Sequence, residues 1–257
     1  MFDATHGAMA LALIVALAFL TWIASLARRD VSIVDGMWPV FIGSAGVAYF
    51  ALVEHAGPVS LAALGLLLVW AVRLCVHITV RNHGQPEDRR YQKIRANNQP
   101  HFEFKSLYIV FGLQAALAWI VALPFMAIVR GDAAFGVLEV AGFVLAAFGT
   151  GFEGVADWQL ERFKKRGGHG RVLDTGLWRY TRHPNYFGEC CVWWGFGLMA
   201  LGSGAGWGLA SPLLMTVLLL KVSGVSMLEK DIVERRPEYA RYIRNTNAFL
   251  PGRPREG

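Results

Sequence analysis

The stretch Ala8-Met-Ala-Leu-Ala-Leu-Ile-Val-Ala-Leu-Ala-Phe-Leu-Thr-Trp-Ile-Ala-Ser-Leu-Ala27 contains no charged residue and ends at Arg28-Arg29-Asp30. It matches the roughly 20 apolar residues a helix needs to cross a bilayer. Outward from it, apolar runs of similar length with few charges recur at 37–55, 59–80, 107–129, 134–157, 187–205 and 208–228. The fold class this predicts is an all-α, polytopic membrane bundle with seven transmembrane helices. The first run is too long, and followed by too many others, for a cleaved signal peptide. Gly202, Gly204, Gly206 and Pro212 mark a short turn within the last pair, which one long hairpin or two separate helices would both fit.

The basic residues test the count independently. Lys and Arg number two between 28 and 36, six between 81 and 106, seven between 159 and 186, and eight from 221 onward, with Arg73 and Arg130 the exceptions. Seven spans put all four basic regions on one side, which the positive-inside rule makes cytoplasmic. The N-terminus then faces out and the C-terminus in. The net charge of +6 is mostly this bias. No zinc finger or recognition helix accompanies it, so no nucleic-acid partner is expected, and nothing implies an obligate protein partner. Cys75, Cys190 and Cys191 lie in or near spans without metal-ligand spacing and read as inert packing residues. The chain reads as one domain, with 1–130 (spans one to four) and 131–257 (spans five to seven with their loops) as two halves. No organelle-sorting tail is apparent, which predicts a bacterial inner membrane.

Ionisable groups inside the spans are few, and each is costly there unless paired or hydrated. Arg73 and His77 share one helix face, and Arg81 and Asn82 carry that stripe to the cytoplasmic end. Such a patch suits the carbonyl or hydroxyl of a lipid-like substrate, or it ties helices together. Asp35 lies just before Trp38 and Pro39, where it serves either a site or a helix cap. Trp38 and Arg73 are candidate substrate-binding residues. In span five, Glu153, Asp157, Glu161 and Lys164 align on one face, the first two at hydrocarbon depth. In the loop that follows, Arg171, Arg179, Arg182 and His183 precede Pro184, which reads as the first residue of a helix. Cations beside a helix N-terminus suit phosphates, and Asn185 and Glu189 lie on the next turns. Binding of anionic lipid head groups is the competing reading. Lys221, isolated in an apolar span, either meets a buried anion or snorkels to the interface.

The run Gly176-Leu-Trp-Arg-Tyr-Thr-Arg-His-Pro-Asn-Tyr-Phe-Gly-Glu189, with Glu229 and Pro237-Glu238-Tyr239, resembles the C-terminal half of the steroid 5-alpha-reductase family. It also resembles isoprenylcysteine carboxyl methyltransferases, so that half leaves open a nicotinamide cofactor or S-adenosylmethionine. Ser32-Ile-Val-Asp35-Gly-Met-Trp38-Pro39 and Arg81-Asn82-His-Gly-Gln-Pro-Glu87-Asp88-Arg89-Arg90-Tyr91 look like the bacterial branch of the reductase-like proteins. The resemblance implies an NADPH-dependent reductase of a conjugated enone, such as a 3-oxo-Δ4 steroid. It further implies that the first four spans enclose the substrate and the last three hold the cofactor. By position, Asp157, Lys164, Arg171, Asn185, Glu189 and Lys221 match places that bind the dinucleotide, as do Arg81 and Asn82 more loosely. Arg179 and His183 join them as cofactor candidates.

The same family polarises the substrate carbonyl with a glutamate and a tyrosine. Asp35 stands at the glutamate's position, but the third-span tyrosine is replaced by Ile78. Either His77 supplies the acid, or Tyr91 or another tyrosine reaches in. An ionised carboxylate cannot donate, so Asp35 must be protonated or must orient a true donor. No Gly-x-Gly-x-x-Gly follows a strand pattern, so a Rossmann frame is not expected. The rival readings are a methyltransferase and a non-catalytic lipid-binding protein.

Overall fold

The computed structural model describes residues 2–129, 135–168, 170–222, 224–230 and 232–255. The short connection at 130–133, with Arg130, and the expected start of span five at Ala134 lie outside the described residues. Within them the chain is all helical, without a strand. Six helices are long and apolar enough to cross a membrane: Ala4–Arg28, Ile33–Ala51, Pro58–Asn82, Phe102–Ile128, Val137–Gly168 and Gly206–Arg235. The helix Pro184–Gly202 has 19 residues but is not among them. Asn185, Glu189 and a run of glycines dilute its apolar character, and Gly188–Trp193 are buried. A helix enclosed by protein has no need to be apolar all round.

The contacts divide the chain into two compact units, Met1–Glu139 with Ala200–Ser211, and Val140–Met199 with Pro212–Gly257. In the first, α1 (Ala4–Arg28) ends where Arg29 takes a left-handed conformation, φ 53°. The Arg29 and Asp30 N–H groups close back onto the carbonyls of Leu26 and Ser25 at 3.3 and 3.2 Å, satisfying acceptors the helix end would leave open. Asp30 Oδ1 then accepts from the Ser32 N–H and hydroxyl at 2.8 and 2.6 Å, and α2 (Ile33–Ala51) begins at once. Against α3 (Pro58–Asn82), α2 turns glycines: a Cβ at Gly43 would lie 3.2 Å from that of Ala71, and one at Gly46 would lie 2.3 Å from Leu67 Cδ2. Small residues let membrane helices approach closely where no hydrophobic effect drives them together. A short helix, α4 (Arg89–Asn97), precedes α5 (Phe102–Ile128). Ser60 donates to the Ile128 carbonyl at 3.0 Å and Trp119 to that of Gly7 at 2.9 Å, tying α5 to α3 and α1.

The second unit is built on a closer approach. In α6 (Val137–Phe163) and α7 (Pro184–Gly202), glycines recur seven residues apart, Gly142 and Gly149 against Gly188 and Gly195. A Cβ on Gly149 would lie 2.6 Å from both the Gly188 carbonyl oxygen and the Val192 nitrogen. The loop after α6 is pinned back onto it: Leu177 N–H donates to Gln159 Oε1 at 2.9 Å, and Trp178 Nε1 to the Ala156 carbonyl at 3.1 Å. Helix α8 (Ala210–Val217) runs on into a π-helical turn, Leu218–Val222, while α9 (Val225–Glu229) and α10 (Tyr239–Asn245) lie further along the chain.

Because backbone atoms meet at Gly149, no side-chain adjustment relieves a methyl group there. Gly149→Ala is expected to destabilise the protein by about 1–3 kcal/mol, read as a lower unfolding midpoint in detergent. Gly65→Ala, where nothing lies within 4 Å, is the matched control. Equal midpoints for the two variants would show that the close approach carries no stability.

Candidate functional site

In the first unit, polar residues of α2 and α4 converge. Asp88 caps α4, accepting from the Arg90 N–H at 2.9 Å, as an Asp before a helix is suited to do. That start presents the next two side chains to Asp35. Tyr91 donates its hydroxyl to Asp35 Oδ1 at 2.6 Å, and Arg90 Nη2 donates to Oδ2 at 2.7 Å. Arg90 Nε also reaches Asp88 at 2.9 Å, and the Gln114 side chain bonds the Tyr91 hydroxyl. A second contact fixes the segment. Glu87 accepts from the Val31 N–H at 2.9 Å and from Arg95 at 2.9 and 2.8 Å, while the Arg95 guanidinium lies 4.6 Å over the Phe102 ring. The two N-terminal motifs of the sequence are therefore the two sides of one cluster.

Electrostatics follow from this geometry. Burial, and then the negative charge of Asp35, push the Tyr91 hydroxyl above the ordinary tyrosine range, so it stays protonated. Burial works against the Arg90 charge, but Asp35 and Asp88 outweigh it and hold the guanidinium protonated. Burial also opposes ionisation of Glu87, yet the bonds from Arg95 and Val31 leave its carboxyl below the ordinary range. With a guanidinium on one oxygen and a phenol donating to the other, Asp35 is an acceptor in both bonds. That geometry suits the option in which Asp35 orients a true donor.

Of the other candidates in this unit, Trp38 lies one turn beyond Asp35, and its indole Nε1 is buried with no hydrogen-bond partner among the described residues. Arg73 and His77 are half-buried on α3. Arg81 is exposed and donates to its neighbour Asn82 at 3.1 Å. Ile78 lies beside Gly36, whose Cβ would sit 3.9 Å from it.

The second unit gathers a different set. Glu153 and Asp157 are buried on α6, where Glu153 packs against Gly188 of α7 and Asp157 meets Asn185. Asn185 donates to Asp157 Oδ1 at 3.3 Å, and Glu189 accepts from Trp193 Nε1 at 2.8 Å. Carboxylate and amide groups of this kind suit ribose hydroxyls and a carboxamide, and Arg171, Arg179 and Lys221 are exposed cations, with Lys164 half-buried. Donors and acceptors of these types are the kind that the sugar, amide and phosphate groups of a dinucleotide take. Lys221 lies exposed at the π-helical turn, as a side chain that snorkels to the interface does.

Arg182 and His183, read from the sequence as phosphate-binding candidates, are turned onto a carboxylate instead. Both are buried on Glu229, Arg182 Nε at 2.7 Å from one oxygen, Nη2 at 2.8 Å from the other, and His183 Nε2 at 2.9 Å. Arg182 also donates to the carbonyls of Thr246 and Ile243, and its own N–H reaches the Asn247 carbonyl at 2.9 Å. Thr181 donates to Phe249 at 2.8 Å, and Tyr242 to the Trp178 carbonyl. These bonds lock the tail onto the loop before α7. Sequence reasoning missed Arg90, Gln114 and Glu229 as site residues. The alternating charges of Glu87-Asp88-Arg89-Arg90 signal the first, whereas Glu229 bonds a residue 47 positions away and carries no local sign. No group of His, Cys, Asp or Glu that could hold a metal occurs among the described residues.

Two outcomes follow for these contacts. Glu87 has its folded carboxyl below the ordinary 4.5, so its contribution is present above about pH 4.5 and fades as pH falls through the folded value. The wild-type unfolding midpoint should drop over that acid window, while Glu87→Gln starts lower at neutral pH and drops less. Parallel curves would remove the latch from the account. Arg182→Gln leaves buried partners unpaired at a cost of about 3–5 kcal/mol, so tryptic cleavage at the exposed Arg241 and Arg244 should rise at least about a hundred-fold. Unchanged cleavage would mean that the tail is held by other contacts.

Comparison with curated proteins finds no match. A family model described as a protein of unknown function, DUF1295, matches residues 21–246. That span takes in the Asp35–Arg90–Tyr91 cluster, the α6–α7 pair and the Arg182–Glu229 lock. The chain thus belongs to the DUF1295 family, which is related to steroid 5-alpha-reductase-like proteins.

Proposed function

We propose that this protein is an NADPH-dependent membrane reductase that adds hydride to the C=C of a conjugated enone in a hydrophobic lipid, of the 3-oxo-Δ4 steroid type. The observation that carries the reading is the pairing of Asp35 with the Tyr91 hydroxyl, one turn from the buried, unpartnered indole N–H of Trp38. A buried N–H without an acceptor is costly, and a carbonyl oxygen in an apolar site is the acceptor it suits.

When bound, NADPH would supply the hydride for the β-carbon of the enone, and water would supply the proton that the α-carbon takes up to give the saturated ketone. Negative charge then develops on the carbonyl oxygen, where fixed donors in a dry site stabilise it most. Trp38 offers one such donor without rearrangement. Tyr91 offers a second by rotating its O–H away from Asp35, whose other oxygen keeps Arg90. Asp35 positions the phenol, Gln114 restrains it, and the missing third-span tyrosine is made good from α4. Asp157, Asn185 and Glu189 receive the sugar and carboxamide, with Glu153 beside them, and Arg171, Arg179 and Lys164 take the phosphates. In this reading α7 is a seventh span, the N-terminus faces out and the C-terminus in. The membrane is a bacterial inner membrane, and the active site opens to the cytoplasm.

The test uses protein purified in mild detergent, with NADPH and S-adenosylmethionine titrated in parallel. NADPH should bind and S-adenosylmethionine should not, the reverse order pointing to a methyltransferase and binding of neither to a non-catalytic role. Arg171→Ala and Asn185→Ala should abolish NADPH binding. Asp35→Asn and Tyr91→Phe should retain it and lower enone turnover by roughly a hundred- to a thousand-fold, the usual cost of losing one oxyanion donor. Normal turnover by Tyr91→Phe would exclude the phenol as the donor.

A further inference from the structure

One cleft lies apart from every residue proposed above to bind substrate or cofactor. Trp158, Gln159, Arg162, Arg166, Leu173 and Gly176 help line a space of about 280 Å³ at the end of α6 and the loop that returns to it. Small-molecule sites usually span roughly 300–1,000 Å³, so this one takes a head group and not a dinucleotide. At 3.6 residues per turn, Trp158 and Arg162 point roughly 100° and 140° away from Asp157, so the cleft opens on the face turned away from Glu153 and Asp157.

The chemistry of that face changes along the helix. Val144, Phe148 and Val155 are 59, 50 and 45% exposed, an apolar stripe on a helix long and apolar enough to span a bilayer. Phe148 to Trp158 covers about 15 Å of rise, which is half of a hydrocarbon core of about 30 Å. Trp158 stands at the top of the stripe, 55% exposed, where an indole suits the interface. The Arg162 guanidinium lies 5.1 Å over that indole, and Arg166 joins it on the cleft wall. Among the described residues no carboxylate lines the cleft, and the nearby Glu161 is paired with Lys165 at 2.6 Å. Cations also suit the C-terminal end of a helix through its dipole. That accounts for Lys164 and Lys165, but not for an arginine laid over an outward tryptophan above a lipid-facing stripe.

We infer that this cleft binds one anionic phospholipid, with its phosphate between Arg162 and Arg166 and its acyl chains along Val155, Phe148 and Val144. The inference stands apart from the reductase reading. The full-length protein in detergent would be equilibrated with equal amounts of phosphatidylglycerol and phosphatidylcholine, and retained lipid counted by native mass spectrometry. Wild type should retain the anionic lipid by about five-fold or more over the zwitterionic one. Arg162→Gln/Arg166→Gln should bring the ratio near parity, while Arg89→Gln/Arg253→Gln, which removes the same charge from exposed sites elsewhere, should leave it unchanged. No preference in the wild type, or an equal loss in both double variants, overturns the site. So does displacement of the lipid by excess inorganic phosphate, which would mean that phosphate alone fills the cleft. A photoreactive phosphatidylglycerol on the wild type gives a second readout independent of variant folding. Adducts within 144–166 are expected, and adducts confined to other segments overturn the proposal.

Discussion

A carboxylate at the end of a membrane helix is tolerated only when donors meet it, because desolvation there is not repaid by water. Asp35 sits in the first turn of α2, where the helix dipole helps a little, but its two oxygens are taken by Tyr91 and Arg90 of α4. The rest of the first unit is arranged so that α4 can deliver them. Arg29 adopts a left-handed conformation to end α1, Asp30 restarts the chain, and Val31 offers its N–H to Glu87. Arg95 holds the same Glu87 and stacks on Phe102. Without that second anchor, a short polar helix such as α4 would have little to fix it, since isolated helices of this length are marginal.

The second unit meets the same constraint by different means. Its buried carboxylates on α6 face α7 across a contact so close that only glycine backbones fit at Gly149 and Gly188. Close approach brings Asn185 to Asp157 and fixes the depth at which Glu189 sits. The loop before α7 is then held from outside the helix pair, by the Arg182–His183–Glu229 lock and the tail. Buried ion pairs add little net stability, but losing one partner is costly. They are suited to fixing one position for a loop that carries Arg171 and Arg179.

The membrane character of the chain was legible in the spacing of charge-free runs, because a bilayer imposes length and apolarity on each span separately. The sixth run, 187–205, was harder to judge. Helix α7 is enclosed by protein along its polar half, so its composition reports its neighbours and not the bilayer. In the site, Asp35 and Tyr91 were both visible as candidates, yet nothing in a separation of 56 positions states that they touch. The turn chemistry at Asp30 and the cap at Asp88 decide that, and each was readable only as a local preference. His183 was misread for the same reason. Its neighbourhood in sequence is basic and suggests phosphate, but its neighbour in space is Glu229.

The ion pair at Asp35 also constrains which atom can act as the acid under the proposed chemistry. Asp35 has a guanidinium 2.7 Å from one oxygen and the Tyr91 hydroxyl on the other. Burial and the adjacent negative charge both oppose ionisation of Tyr91, so its proton is retained at any pH near neutrality and is available for donation. The carboxylate therefore acts by keeping the phenol neutral and aimed, and the donor to a developing oxyanion is the phenol. A shorter Asp in place of a glutamate is no handicap for that task, since it has to reach only the helix that caps it. Under the proposed chemistry, the hydroxyl that the family resemblance places at Ile78 on α3 comes instead from Tyr91 on α4, beside the Asp35 carboxyl group.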